Sequence, residues 1–117
     1  MLKIVNQLAI MYKIDPNEII TLNSRISKIV EARRIYIYYL YREQNIKHTK
    51  MREYVKGIDH STSIYHCRKI EDLFSIDNDL KVRYIELLYQ ADPDSFYCLH
   101  KNIIFKDLMS KILTIVK

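Results

Sequence analysis

The densest run of side chains able to do chemistry follows Gly57, the single glycine of the chain. Asp59-His60-Ser61-Thr62 begins two residues after it. A carboxylate can accept a hydrogen bond from a cytosine amino group, an imidazole can contact a thymine methyl group or a base acceptor, and a hydroxyl can donate or accept. These groups discriminate base edges in a DNA groove. The run is therefore a candidate for base readout.

Each member of the run also has a structural interpretation. Asp59 is a natural N-cap for a helix that follows, because its carboxylate can accept from the free amides of the first turn. Capping explains the aspartate but not the histidine after it, so we expect Asp59 to combine capping with a contact to a DNA base. His60 at a helix start would ordinarily be a solvated surface residue.

Basic residues are concentrated in the first two-thirds of the chain. The net charge is +5, and residues 1–75 hold 13 Lys and Arg against 8 Asp and Glu. Between residues 22 and 56, nine basic residues face three acidic ones. Such a segment attracts a polyanion, but it can also be a solvated face or meet an acidic protein or anionic lipid. Charge alone leaves these alternatives open.

Metal and disulfide chemistry is not expected. The chain has two cysteines, Cys67 and Cys98, and without an export signal they indicate a reducing compartment, with both thiols buried as small hydrophobic groups. A zinc site needs four ligands at compatible spacing, and His60, His66 and Cys67 have no paired Cys-x-x-Cys partner. We therefore predict no metal and no disulfide.

Enzymatic and membrane functions are not expected either. No Gly-x-x-x-x-Gly-Lys-Ser/Thr phosphate loop is present, so no nucleotide cofactor is predicted. The four histidines have no nucleophile or paired carboxylate arrangement, and a histidine beside Ser and Asp in one helical turn is not a catalytic triad without the geometry. No apolar stretch approaches the length of about 18 residues that spans a bilayer, and the amino terminus lacks a signal-peptide core. These features predict a cytoplasmic protein.

The composition favours helices throughout. One glycine and two prolines provide little turn material for a sandwich or barrel, so an all-α helical bundle is predicted. Asp15 caps a short helix that ends near Leu22, and Ser27 is the expected cap of a long helix that stops around Asn45. Apolar periodicity and these signals predict helices over about residues 2–12, 16–22, 27–45, 49–55, 59–74, 80–90 and 95–116.

Residues 49–74 are predicted to form a helix, a glycine turn and a second helix, which is the layout of a helix-turn-helix. Gly57 would supply the positive φ of the turn. The break at Asp92-Pro93 separates residues 1–92, the predicted DNA-binding domain, from residues 93–117, an additional C-terminal helix packed on it.

With these elements in place, the chain resembles a known family, the C-terminal DNA-binding domain of the bacterial replication initiator DnaA. The resemblance covers roughly residues 1–90. Residues 57–63 are similar to the family motif Gly-Arg-Asp-His-Ser/Thr-Thr-Val, and Cys67-Arg68-Lys69-Ile70-Glu71 also matches. The upstream order of a short helix, a basic loop and a long basic helix agrees as well.

The resemblance implies roles for individual residues. Asp59, His60 and Ser61 would contact base edges in the major groove, and Thr62 matches a position closer to the backbone. Arg25 is the nearest match to a minor-groove arginine, with Lys28 the next candidate. Phosphate contacts are implied for further basic residues: Arg34, or Arg33 one residue away, and Lys50, Arg68 and Lys69. Lys56, which stands where the family has glycine, is a further candidate for a phosphate contact. Arg68 and Lys69 can equally be the solvated face of their helix.

Apart from Lys56, the sequence departs from the motif at two positions beside the candidate site. Ile58 stands where the family has arginine, which removes a contact that Lys56 offsets only in part. Ser63 stands where the family has valine, and we expect weaker packing under the helix. Base preference is therefore expected to differ from that of the family.

The sequence thus predicts a non-enzymatic domain that binds double-stranded DNA sequence-specifically and regulates replication initiation or transcription. The alternative is a protein-interaction or dimerisation module, which keeps the fold but has lost specific DNA binding. In that case the apolar face of the C-terminal helix would bind a second copy or another protein.

Overall fold

The computed structural model describes residues 2–22 and 25–95, and all regular elements within these ranges are helical. They are α1 (Leu2–Tyr12), α2 (Pro16–Ile19), α3 (Ser27–Arg42), a 3-10 helix (His48–Glu53), α4 (His60–Ile76) and α5 (Asn78–Ala91). The predicted all-α bundle is confirmed. The predicted C-terminal helix lies outside the described residues from residue 96 onward, as does Cys98.

The long helix α3 lies at the centre of the bundle. It packs against α1, α2, the 3-10 helix and α4, while α5 packs against α1 and α4. Because α3 has neighbours on most of its sides, apolar and aromatic residues occupy most of its faces. Its buried hydrophobic residues are Ile29, Ala32, Ile35, Tyr36, Ile37, Tyr38, Tyr39 and Leu40.

Local sequence signals explain the start of α2 but not that of α3. The Asp15 carboxylate accepts a hydrogen bond from the backbone N–H of Asn17 at 2.9 Å, as predicted for a cap. The Ser27 prediction is wrong, because Ser27 is already the first helical residue and the N-cap position is Ile26, which is extended. An isoleucine side chain has no acceptor to offer the first-turn amides.

The connection between the 3-10 helix and α4 is a turn built on Gly57. The predicted helix over residues 49–55 is instead a 3-10 helix, shifted by one to two residues toward the amino terminus. Gly57 has φ +81°, as the turn requires. The backbone N–H of Lys56 donates to the Ile20 carbonyl at 2.9 Å, and Thr21 and Lys56 form a parallel bridge. The turn is thereby joined to the end of α2.

Polar contacts fix the carboxyl-terminal ends of α3 and α5. The Tyr39 hydroxyl donates to Asp92 Oδ2 at 2.5 Å, and Gln44 Nε2 donates to the same oxygen at 3.1 Å. Asp92 also accepts from the hydroxyl of Ser95 at 2.6 Å. We predicted that residues 93–117 form an additional helix packed on the rest of the chain. Beyond Ser95 this prediction falls outside the described residues. Among the helices described here, none is long and apolar enough to cross a membrane.

Candidate nucleic-acid interface

The amino terminus of α4 is built by Asp59. This residue is extended (φ −98°, ψ 168°), and its Oδ1 accepts from the backbone N–H of Thr62 at 2.7 Å, so the predicted cap is confirmed. The bond from the Thr62 amide holds the pKa of the Asp59 carboxyl below its ordinary value, because it stabilises the ionised form. Asp59 is also exposed. It therefore caps α4 and stays accessible to a partner.

The structure brings the predicted base-readout residues of α4 together at its first turn. His60 and Ser61 are exposed beside Asp59, whereas Thr62 is half-buried and donates its amide to the cap. A carboxylate, an imidazole and a hydroxyl thus face solvent within three consecutive residues. This arrangement can present acceptors and donors to base edges.

The exposed face of α4 continues beyond this turn. Tyr65 and Arg68 lie four and seven residues after Ser61, a spacing that places the three side chains on one helix face. All three are exposed, and Tyr65 is 54% exposed. The sequence prediction did not include Tyr65, although its spacing from Ser61 was a usable signal.

The opposite face of α4 is anchored to the 3-10 helix by a polar pair. Ser63 is fully buried, and its hydroxyl lies 2.7 Å from Nδ1 of His48. The His48 ring stacks on Tyr41 with centroids 4.1 Å apart and planes 14° apart. Burial lowers the pKa of His48, and proximity to His60 lowers it further. From the sequence we expected weaker packing at Ser63. The hydrogen-bonding contact between its hydroxyl and His48 could not be predicted from the sequence.

A second polar pair joins α4 to α3. Nε of Arg34 donates to Nδ1 of His66 at 3.1 Å, and the Arg34 guanidinium carbon lies 5.6 Å from the centroid of the Tyr65 ring. His66 is buried, which lowers its pKa to about 4, and the charges of Arg34 and Arg33 act in the same direction. The imidazole is therefore neutral at neutral pH and can accept the hydrogen bond.

Arg33 and Arg34 are adjacent in the sequence but have different surroundings in the structure. Arg33 is buried, and its Nη2 donates to the backbone carbonyl of Glu18 at 2.9 Å. A guanidinium that holds α2 against α3 is less accessible to a phosphate, so the structure favours Arg34 over Arg33 for the predicted phosphate contact. Arg34 is half-buried and lies against α4.

The remaining predicted cations are exposed but do not form one cluster. Lys28 lines a cleft with Met11, Tyr12, Glu31 and Arg83 on the α1 and α5 side of α3. Six residues along a helix correspond to a rotation of about 240°, so Lys28 and Arg34 lie on different sides of α3. The other exposed cations are Arg25 before α3, Lys50 on the 3-10 helix, Lys56 in the turn, and Arg68 and Lys69 on α4.

Within residues 2–22 and 25–95, no group of three or more His, Cys, Asp or Glu side chains is arranged to hold a metal ion. Comparison with known proteins gives no match, neither to a family model nor to a curated protein nor to a solved structure. A functional assignment therefore depends on the motif and geometry of this chain.

Proposed function

We propose that this chain binds double-stranded DNA sequence-specifically, with the first turn of α4 contacting base edges in the major groove. The observation that carries the proposal is the joint exposure of Asp59, His60 and Ser61 at the amino terminus of α4. The major groove, about 12 Å wide, admits an α-helix. The resemblance of residues 57–63 to the DnaA motif supports the same orientation.

Two further features support the proposal. The inner face of α4 is anchored by the Ser63–His48 and His66–Arg34 contacts, so the exposed face is held in a defined position. Exposed cations lie on α4 itself, on the 3-10 helix and in the turn before α4, and they can neutralise phosphates and fix the register of the helix on the duplex without reading sequence. These cations are Lys50, Lys56, Arg68 and Lys69.

Arg25 has a separate role in this proposal. It is exposed in the segment before α3, and the preceding Leu22 approaches the Gly57 turn, since a Cβ atom at Gly57 would lie 4.0 Å from Leu22 Cδ1. From this position we assign it to the minor groove next to the site of α4, as the family resemblance implies. The cellular role we propose is cytoplasmic regulation of replication initiation or transcription.

Selection of bound sequences from a random duplex library tests the proposal directly. The wild-type protein should enrich a defined site, and a fluorescence-anisotropy titration on that duplex should show affinity falling steeply with salt. His60→Ala should change the selected site. Lys81→Ala, which removes an exposed cation from α5, is the matched control and should select the wild-type site. Failure of the wild-type protein to enrich any site would contradict specific binding.

A protein-interaction module is the second candidate, and exposed apolar side chains favour it. Val82 and Tyr89 are 51% and 58% exposed on α5 and lie seven residues apart, hence on one face. Ile10 on α1 is 69% exposed. Under this candidate the chain binds no duplex and self-associates. Sedimentation at micromolar concentration, with Val82→Asp as the interface variant, would show dimers that the variant disrupts.

A further inference from the structure

The contact between Arg34 and His66 places a buried acceptor under an arginine at the edge of α4. His66 lies on the inner face of α4 and is 7% exposed. A helix face that packs on a core is normally apolar, and a buried imidazole requires a hydrogen-bond partner. Here the partner is the Nε–H of Arg34 at 3.1 Å. The pair therefore specifies the orientation of one side chain.

The orientation of Arg34 leaves its two terminal nitrogens available. A guanidinium is planar and carries five N–H donors in a fixed fork. Its Nε is used by His66 and its face lies near Tyr65, and no hydrogen bond within the described residues uses Nη1 or Nη2 of Arg34. This fork is suited to two parallel hydrogen bonds to phosphate oxygens.

The position along α4 is also suited to a phosphate. Tyr65, which Arg34 approaches, lies one helical turn beyond Ser61, or about 6 Å along the axis. The phosphates of a duplex line the groove that a recognition helix enters, so a cation at the flank of α4 is placed to meet the strand.

We propose that His66 is a positioning residue that holds the Arg34 guanidinium at the flank of α4, where it contacts a DNA phosphate. This inference rests on the proposed function, since it assumes that α4 enters a groove. His66 itself does not touch the nucleic acid. It acts by holding the Arg34 fork in the orientation that a phosphate requires.

Two substitutions at His66 separate positioning from packing. In His66→Asn the amide oxygen can accept from Arg34 Nε in place of Nδ1, whereas His66→Leu fills similar space without an acceptor. The measurement is the slope of log K against log salt on one selected duplex, which reports the number of neutralised phosphates. We expect the slope of His66→Leu to be smaller by about 0.9, the value for one phosphate, and that of His66→Asn to match the wild type.

Arg34→Ala should lower the slope by the same amount, and the double variant Arg34→Ala/His66→Leu should lower it no further. Lys81→Ala is the control and should leave the slope unchanged. Circular dichroism melts identify any variant that fails to fold. If His66→Leu does not fold, His66→Asn still tests the inference, because a slope smaller by about 0.9 in that variant would contradict it. A wild-type slope in His66→Leu, or a slope reduced in His66→Asn as much as in His66→Leu, would overturn the inference.

The same titrations distinguish failure of this inference from failure of the proposed function. If the wild-type protein binds no duplex, the proposed function is wrong and the phosphate contact is lost with it. If the wild-type protein binds and only the His66 variants behave differently from expectation, DNA binding stands and the positioning role alone is overturned. In the free protein, the nitrogen chemical shift of His66 Nδ1 should be that of an unprotonated acceptor and should change in Arg34→Ala.

Discussion

Nδ1 of His48 and the hydroxyl of Ser63 lie 2.7 Å apart and connect the 3-10 helix to α4 across 15 residues of sequence. The hydroxyl is fully buried, so the two elements are joined by a directional contact rather than by apolar packing alone. A hydrogen bond has preferred distances and angles. The pair therefore helps to define where α4 lies relative to the 3-10 helix.

Removing this hydroxyl should destabilise the protein. Ser63→Ala leaves His48 Nδ1 without its partner, and because His48 is only half-buried, we expect a loss of about 1 kcal/mol in the free energy of unfolding. Guanidinium chloride unfolding measures it. Ser61→Ala, at an exposed position of the same helix, is the control and should be close to neutral. Equal losses for the two variants would show that the His48 contact does not contribute.

Asp59 should show separable effects on stability and on base selection. Asn is as good an N-cap as Asp but adds an amide donor, so Asp59→Asn should keep the stability of α4 and change the selected base. Asp59→Ala should lower stability and change selection together. Thermal unfolding and library selection on the two variants measure these effects. A stable Asp59→Asn variant with the wild-type site would contradict readout by the carboxylate.

Substitution of Gly57 should destabilise the protein because of the backbone conformation at this position and not because of crowding. A Cβ atom there would have its nearest neighbour at 4.0 Å, which is ordinary contact, but φ is +81°. Gly57→Ala should therefore cost about 1–2 kcal/mol of stability, the usual penalty for a left-handed residue with a Cβ. Gly57→Asn should cost less, since Asn tolerates this region. Urea unfolding of both variants tests the order.

The free energy of unfolding should decrease as the pH is lowered from about 6.5 to about 4. The pKa of His66 is lowered to about 4 in the folded state by burial and by Arg34 and Arg33, while an unfolded histidine titrates near 6.5. In this window the unfolded chain binds more protons, so stability is complete above the unfolded pKa and is lost as pH decreases. The His66 contribution is at most about 3 kcal/mol.

The matched variant for this pH dependence is His66→Asn, which cannot take up the proton. Its free energy of unfolding should depend less on pH between 6.5 and 4 than that of the wild type. Other titrating groups, including His48, are retained in both proteins and cancel in the comparison. Identical pH profiles for the two proteins would contradict a buried neutral His66.

Local signals predicted the elements whose cause is local. The cap at Asp59, the cap at Asp15 and the positive φ of Gly57 each depend on residues within three positions in sequence, and the structure contains all three. Ser27 misled the prediction because a serine one residue inside a helix looks like a cap in the sequence.

The contacts that position α4 could not be predicted in this way. The Arg34–His66 bond joins residues 32 positions apart, and its existence depends on how α3 and α4 cross. No sequence period encodes such a pair. The same holds for Arg33, whose burial and whose hydrogen bond to the Glu18 carbonyl are not visible from its charge. The motif of the candidate interface was therefore predictable from the sequence, but the long-range contacts that hold α4 in position were not.

The bridge between Thr21 and Lys56 has a consequence for the length of any site that this chain binds. It fixes the end of α2 against the turn that precedes α4, and Arg25, three residues beyond Leu22, can lie at most about 11 Å from that leucine. In the proposed complex, the minor-groove target of Arg25 and the targets of the first turn of α4 must therefore lie a limited distance apart. Duplex DNA rises about 3.4 Å per base pair, so inserting three or more base pairs between these targets would separate them by about 10 Å or more, which is comparable with this whole reach.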